Sequence, residues 1–185
     1  GTTPGLATVL VGDDPASHVY VGQKIKKCEA SGMASIHVPL PAGISREALL
    51  GEVHRLNRDP RVHGIIVQLP LPKSLNAEEV LLALDPSKDA DGLHPANQGR
   101  WMQLKSWKDV LASGVSLPCT PAGVMELLRQ NGVPIAWRKA VVVGRSSLVG
   151  KPLGMMLLAA DATVTLAHSR TERLDDVCRQ ADILV

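Results

Sequence analysis

One stretch restricts the fold more than any other: Ala140-Val-Val-Val-Gly144-Arg-Ser-Ser-Leu-Val-Gly150-Lys-Pro-Leu-Gly154. Ala140–Val143 reads as a buried strand, the glycines as a tight turn, and Pro152–Ala160 as a helix. A buried strand that feeds a helix through a glycine turn predicts a parallel sheet with right-handed crossovers. The pattern continues with a strand at Val164–Leu166, a helix at Leu174–Gln180 and a strand at Ile183–Val185. That order, β-α-β-α-β, is half of a doubly wound nucleotide fold.

The first half of the chain repeats the alternation. Leu6–Val11 reads as a buried strand, and Asp14-Pro15 supplies an N-cap with proline at the first helical position. The helix runs to about Ala30 and stops at Gly32. Ile36–Leu40 is the second strand, and Ser45 caps a helix through Leu49, Val53 and Leu56 that Pro60 ends. Val62–Leu69 is the third strand, and Asn76 with Glu79 forms a capping-box pattern before Val80–Leu84. From Asp85 to Pro118 the pattern is irregular, as in long functional loops. Thr120-Pro121 opens a helix that Gly132 closes, expected to connect two domains. The expected fold class is therefore α/β. A parallel-sheet substrate domain over residues 1–119 is followed, over 120–185, by a linker helix and the first half of a Rossmann-type domain.

Composition excludes several classes of function. The chain has 185 residues and a net charge of +2, and no Lys/Arg run is interleaved with stacking aromatics, so nucleic acid is not the expected partner. No apolar run reaches the roughly 18 residues that a membrane span needs, and no basic segment opens a signal peptide, so a cytoplasmic location is expected. Cys28, Cys119 and Cys178 form neither a disulfide framework nor a C-x-x-C pair. No His or Cys pair has metal-ligand spacing, so no metal is expected. With no Phe and one Tyr, the cores are expected to be aliphatic, and the position of Tyr20 becomes informative.

Counting narrows the role of the glycine turn. Five residues separate Gly144 from Gly150 and Pro152 follows Lys151, so it is not a P-loop. Leu148 stands where a nucleophile elbow needs glycine. Ser146 stands at the second glycine of the dinucleotide fingerprint. The β-α-β frame still points to a dinucleotide phosphate site, the alternative being a turn that only packs strand on helix. An NAD site usually ends its second strand with an acid. Here that place reads His168-Ser169-Arg170-Thr171, so with Arg145 and Ser169 nearby the pattern favours NADP. Arg170 is open to either reading, phosphate contact or solvated surface residue.

A second constellation lies on the first helix. Tyr20 and Lys24 are four residues apart and share a face. A lysine beside other cations, or partly buried, has a lowered pKa and can act as an acid or base, unless it is an ordinary solvent-facing residue. Gln68 lies at the carboxyl end of the third strand, where open α/β sheets bind ligands. Asp91 sits in Lys88-Asp89-Ala90-Asp91-Gly92, which is either part of the same cleft or a plain acidic turn. A calcium loop with Gly92 at its sixth position needs Glu at 98, where this chain has Gln98. Tyr20-x-x-x-Lys24 also matches the pair of short-chain dehydrogenases, but there the nucleotide turn precedes the pair.

Together these segments resemble the bifunctional methylenetetrahydrofolate dehydrogenase/cyclohydrolase family. The motifs are Val11-Gly-Asp-Asp-Pro-Ala-Ser-His-Val-Tyr20-Val-Gly-Gln-Lys24, Gly64-Ile-Ile-Val-Gln68-Leu-Pro-Leu-Pro72, Lys88-Asp-Ala-Asp91-Gly-Leu-His-Pro, Pro118-Cys-Thr-Pro121, Val143-Gly-Arg-Ser-Ser-Leu-Val-Gly-Lys-Pro152 and Ala162-Thr-Val-Thr-Leu-Ala-His-Ser-Arg-Thr171. The resemblance implies NADP-dependent oxidation of 5,10-methylenetetrahydrofolate and hydrolysis of the methenyl product to 10-formyltetrahydrofolate. It implies Lys24 as the main catalytic residue of the hydrolysis, often neutral beside a cationic intermediate. Tyr20 lies along the folate, Gln68 positions Lys24 and Asp91 binds the pterin. Ser17, Val67 and Leu69 fall within the same substrate site, and Gly144, Arg145, Ser146 and Ser169 match NADP-contacting positions. A homodimer is the assembly implied. Family members carry further strands, a Pro-Gly-Gly-Val-Gly-Pro-type segment and a final helix, so the chain is expected to be C-terminally incomplete. A non-catalytic remnant that binds folate or serves assembly is the competing expectation.

Overall fold

The computed structural model describes residues 3–185. Its contacts group into two units, Gly1–His94 and Pro95–Val185. In the first unit the order is β1 (Gly5–Val11), α1 (Pro15–Ala30), β2 (Ala34–Leu40), α2 (Arg46–Arg58), β3 (Gly64–Val67) and α3 (Ala77–Leu82), followed by a 3-10 turn at Pro86–Lys88. The strands are parallel in the order β2-β1-β3, with Val9 opposite both Val38 and Val67.

Local chemistry sets the element ends as expected. Asp14 accepts hydrogen bonds from the amide and the hydroxyl of Ser17, each at 2.8 Å, which starts α1 and holds the Asp14 carboxyl below its usual range. Gly32, at φ +71°, ends it. Ser45 accepts from the Ala48 amide at 3.1 Å to start α2. Leu49, Val53 and Leu56 recur along one face of α2 and are fully buried beneath the sheet core of Ala7, Val9 and Ile65. Each of these leucines contributes about 2 kcal/mol by leaving water.

Two details of this unit differ from the sequence pattern. β3 is shorter than Val62–Leu69, because the Val62 amide turns to Asp59 and the prolines after Leu69 bring no amide to a ladder. The capping box at α3 is half made: Asn76 accepts from the Glu78 and Glu79 amides, but the Glu79 carboxylate pairs with Arg46 instead.

The second unit contains α4 (Pro95–Met102), α5 (Trp107–Ala112), α6 (Cys119–Gln130), β4 (Lys139–Val143), α7 (Gly150–Ala159), β5 (Thr163–Ala167), α8 (Leu174–Arg179) and β6 (Ile183–Leu184). Its strands are parallel in the order β5-β4-β6. The expected irregular stretch from Asp85 to Pro118 is corrected here, since it folds into a 3-10 turn and two short helices. The reason is packing: Trp101 and Val110, each 1% exposed, join a core with Met125, Leu153 and Met156. α6 contributes Met125 to that core, and it falls in the Pro95–Val185 contact group.

Candidate active site

Both sheets place their first strand in the centre and their next two on opposite sides, so the crossover direction reverses at the central strand. Ligands of open α/β sheets bind outside the carboxyl ends of the strands at that reversal. In the first unit β1 and β3 meet there. The Gln68 amide donates to Val9 O at 2.9 Å, carrying the ladder one residue past β3 and fixing the start of its side chain. Gln68 Nε2 donates to Leu69 O at 2.7 Å, and its Oε1 accepts from Lys24 Nζ at 3.1 Å. Only this amide orientation satisfies both partners. Lys24 is half-buried and forms no ion pair among the described residues, so a neutral amide is what holds its nitrogen.

The other expected residues take distinct places. Tyr20, one turn before Lys24 on the same face of α1, is 59% exposed, a large exposure for a ring with no packing duty. Ser17 is buried with its hydroxyl committed to Asp14, so it serves the start of α1. Val67 points its side chain into the first core, and Leu69 contributes the carbonyl that orients Gln68. Asp91 is half-buried in a turn tied to β3 by a parallel bridge between Ile65 and Asp89, which directs the segment along β3. The sequence pattern gave no role to Asp89. It is 1% exposed, and its carboxylate accepts from the Leu93 amide at 3.2 Å and the His94 amide at 2.9 Å.

In the second unit the turn after β4 closes on itself. A Cβ at Gly150 would lie 2.3 Å from Gly144 O and 2.8 Å from Arg145 N, so only glycine lets the start of α7 come this near the strand end. Ser146 Oγ accepts from the Val149 amide at 3.1 Å and the Gly150 amide at 3.4 Å, and Ser146 O accepts from the Lys151 amide at 3.0 Å. Ser146 thus braces the turn that leads into α7, which leaves its hydroxyl proton to donate outward. The amides of Arg145, Ser146, Ser147 and Leu148 donate to no acceptor among the described residues, and all four residues are exposed. Unpaired amides in a turn before a helix suit a phosphate, and so fit the dinucleotide expected from sequence.

The adjacent strand supplies the neighbouring wall. Gly144 N donates to Ala167 O at 2.8 Å, which sets the turn beside His168-Ser169-Arg170-Thr171. That segment is itself a tight turn: the His168 amide donates to Thr171 Oγ1 at 2.9 Å and the Arg170 amide to His168 Nδ1 at 3.2 Å. Arg145, Ser169 and Arg170 are exposed and form no ion pair among the described residues. Gly154 ends the glycine motif, but the sequence pattern gave it no role of its own. A Cβ there would lie 2.6 Å from Leu166 Cδ2, so Gly154 sets the approach of α7 to β5. Its place one helical turn after Gly150 was the available signal. No group of three or more His, Cys, Asp or Glu side chains could hold a metal among the described residues.

Comparison with known proteins shows the family. The catalytic-domain model of tetrahydrofolate dehydrogenase/cyclohydrolase matches residues 1–91, and the NAD(P)-binding-domain model matches residues 118–185. The bifunctional protein FolD of Acetivibrio thermocellus is 50% identical over 182 residues, which cover 98% of this chain and 61% of that protein. The crystal structure of FolD from Campylobacter jejuni superposes with a TM-score of 0.90 at 42% identity, over 97% of this chain and 61% of that one. FolD from Trypanosoma brucei, complexed with NADP and an inhibitor, gives a TM-score of 0.88 at 40% identity, over 98% of this chain and 60% of that one. The chain therefore spans about three fifths of the length of the relatives it matches. Both family-domain models match in chain order, one over each parallel sheet, so the chain belongs to the tetrahydrofolate dehydrogenase/cyclohydrolase family.

Proposed function

We propose that this chain oxidises 5,10-methylenetetrahydrofolate to 5,10-methenyltetrahydrofolate with NADP and hydrolyses the product to 10-formyltetrahydrofolate. The observation that carries this is the hydrogen bond from Lys24 Nζ to Gln68 Oε1 at the open end of the first sheet. NADP would supply the acceptor for the hydride of the methylene bridge. Arg145 and Ser169 would hold its 2′-phosphate, and the Arg145–Leu148 amides, with Gly144 and Ser146, would hold the diphosphate. Tyr20 lies along the folate and Asp91 binds its pterin, while Leu69 orients Gln68, and Ser17 and Val67 support the site from the cap of α1 and from the core.

In the hydrolysis, water adds to the methenyl carbon, the bond from that carbon to one folate nitrogen breaks, and one proton is released. Lys24 takes the proton of the attacking water in its amine form and returns one to the leaving nitrogen. Gln68 engages one position of Nζ and leaves the others for water and substrate. The chain works as a cytoplasmic homodimer in this reading, and no helix among the described residues is long and apolar enough to cross a membrane.

The test is the NADPH absorbance band on mixing the chain with 5,10-methylenetetrahydrofolate and NADP. A rise is expected with NADP and a much slower one with NAD. No rise from a folded sample overturns the enzyme reading in favour of a non-catalytic folate-binding chain. Equal rates with both nucleotides overturn the phosphate role of Arg145 and Ser169.

A further inference from the structure

The segment from Ala83 to His94 is tied down at several places, and the ties differ in what they hold. Asn57 Nδ2 donates to Ala83 O at 2.8 Å, and its Oδ1 accepts from the Asp85 amide at 3.0 Å. Lys88 Nζ donates to Asp59 O at 2.9 Å and Leu56 O at 3.3 Å, carbonyls at the end of α2. The Ala90 amide donates to Ile65 O at 3.2 Å. The last tie is the buried Asp89 carboxylate, one oxygen on the Leu93 amide and the other on the His94 amide. Asp91 lies inside the loop that Asp89 closes, next to Gly92 at φ +64°.

We infer that Asp89 is a positioning residue for substrate binding: its carboxylate fixes the turn that presents Asp91, while Lys88 serves the fold alone. The inference rests on the folate chemistry proposed above. A glycine in the turn gives the backbone next to Asp91 wide conformational freedom. Two amide hydrogen bonds accepted by one buried carboxylate remove that freedom, and bonds of this kind are stronger than neutral ones. The Ile65 bridge refers the turn to β3, whose end presents Gln68 to Lys24. Asp89 therefore couples the place of Asp91 to the strand that orients the lysine. Lys88 reaches away from the turn, to the end of α2.

The experiment compares Asp89→Asn, Asp91→Ala, the double variant and Lys88→Met in the full chain. Asparagine keeps the volume of Asp89 but turns one acceptor into a donor facing an amide. Asp89→Asn is expected to raise the KM for the folate about ten-fold, the scale of a lost hydrogen bond to a charged group. The KM for NADP stays unchanged, and the Leu93 and His94 amides exchange hydrogen faster. In the Asp91→Ala background the same change adds nothing further to the folate KM, because the residue being positioned is gone. Lys88→Met lowers the unfolding temperature and keeps the wild-type folate KM. Additive effects in the double variant, an unchanged folate KM in Asp89→Asn, or an equal KM rise in Lys88→Met would each overturn the inference. Should Asp89→Asn fail to fold, Asp89→Glu keeps the charge and shifts it by one methylene. A smaller folate-specific KM rise then supports the positioning role, and a wild-type KM overturns it. A wild-type chain inert with folate and NADP sinks the function first, and the role of Asp89 with it. An active wild type with an unaltered Asp89→Asn sinks the positioning role alone.

Discussion

In the first unit the helix after the central strand, α1, buries only Ser17, Val21 and Cys28 of its sixteen residues. Its counterpart in the second unit, α7, buries seven of ten, among them Gly150, Pro152 and Gly154. Both helices leave the central strand of a parallel three-stranded sheet with the same strand order, so topology does not account for the contrast. Side-chain size does. α7 is lined with small and apolar residues that press it onto the sheet, and what it offers at the open end is the bare backbone of the turn. α1 follows its strand after only three residues, against six before α7, so it has no comparable turn and offers side chains, Tyr20 and Lys24. One frame thus presents side chains at the open end in one unit and backbone amides in the other.

Substitutions that break each site separately test this division. The largest effect is expected for Lys24→Met, which removes the nitrogen held by Gln68. Hydrolysis of methenyltetrahydrofolate falls by about a hundred-fold or more, the usual scale of general acid–base catalysis. NADP binding is unchanged and part of the hydride transfer remains. Full hydrolysis in that variant would refute the role of Lys24. Gly150→Ala comes next. Its Cβ has no room beside Gly144 O, so the turn must shift. The KM for NADP is expected to rise by about ten-fold or more, as for loss of one or two hydrogen bonds to a charged ligand, while hydrolysis of supplied methenyltetrahydrofolate continues. Loss of both activities in a folded Gly150→Ala chain would show that the two sites are not separable.

The smallest effect concerns stability. Arg129 holds the exposed Glu126 carboxyl at about 2, below its ordinary 4.5, chiefly through a side-chain hydrogen bond that Gln130 supplements. The folded state therefore binds that proton less readily than the unfolded state. The pair's contribution is fully present above pH 4.5 and is lost as the pH falls through about 2. Glu126→Gln is expected to flatten the unfolding midpoint slightly across that window and to leave both activities untouched. An identical acid limb in the variant would show that solvent screens the pair completely.

Much of the first unit was legible because its signals are local. Asp14-Pro15, Ser45 and Gly32 act within a few residues of themselves, and the caps at Asp14 and Ser45 formed as read. The spacing of Leu49, Val53 and Leu56 reports a single buried face. The helices at Pro95–Met102 and Trp107–Ala112 were not legible, since each is too short to show a period and is held by Trp101 and Val110 in a core assembled from distant segments. The capping box at Asn76 was half wrong for the same kind of reason: Arg46, thirty-three residues away in sequence, takes the Glu79 carboxylate.

The sequence by itself determined the alternation of strands and helices, the glycine turn and the presence of Tyr20, Lys24, Gln68 and Asp91, because spacing and local chemistry are written in one dimension. Tertiary structure decided which of these meet and what each does. It set Gln68 between Leu69 O and Lys24 Nζ, committed Ser17 to the Asp14 cap and turned Ser146 into a brace for α7. It also buried Asp89 beneath the turn that carries Asp91. A hydrogen bond between residues forty-four positions apart depends on which strands pair and in what register, and only the folded sheet fixes that.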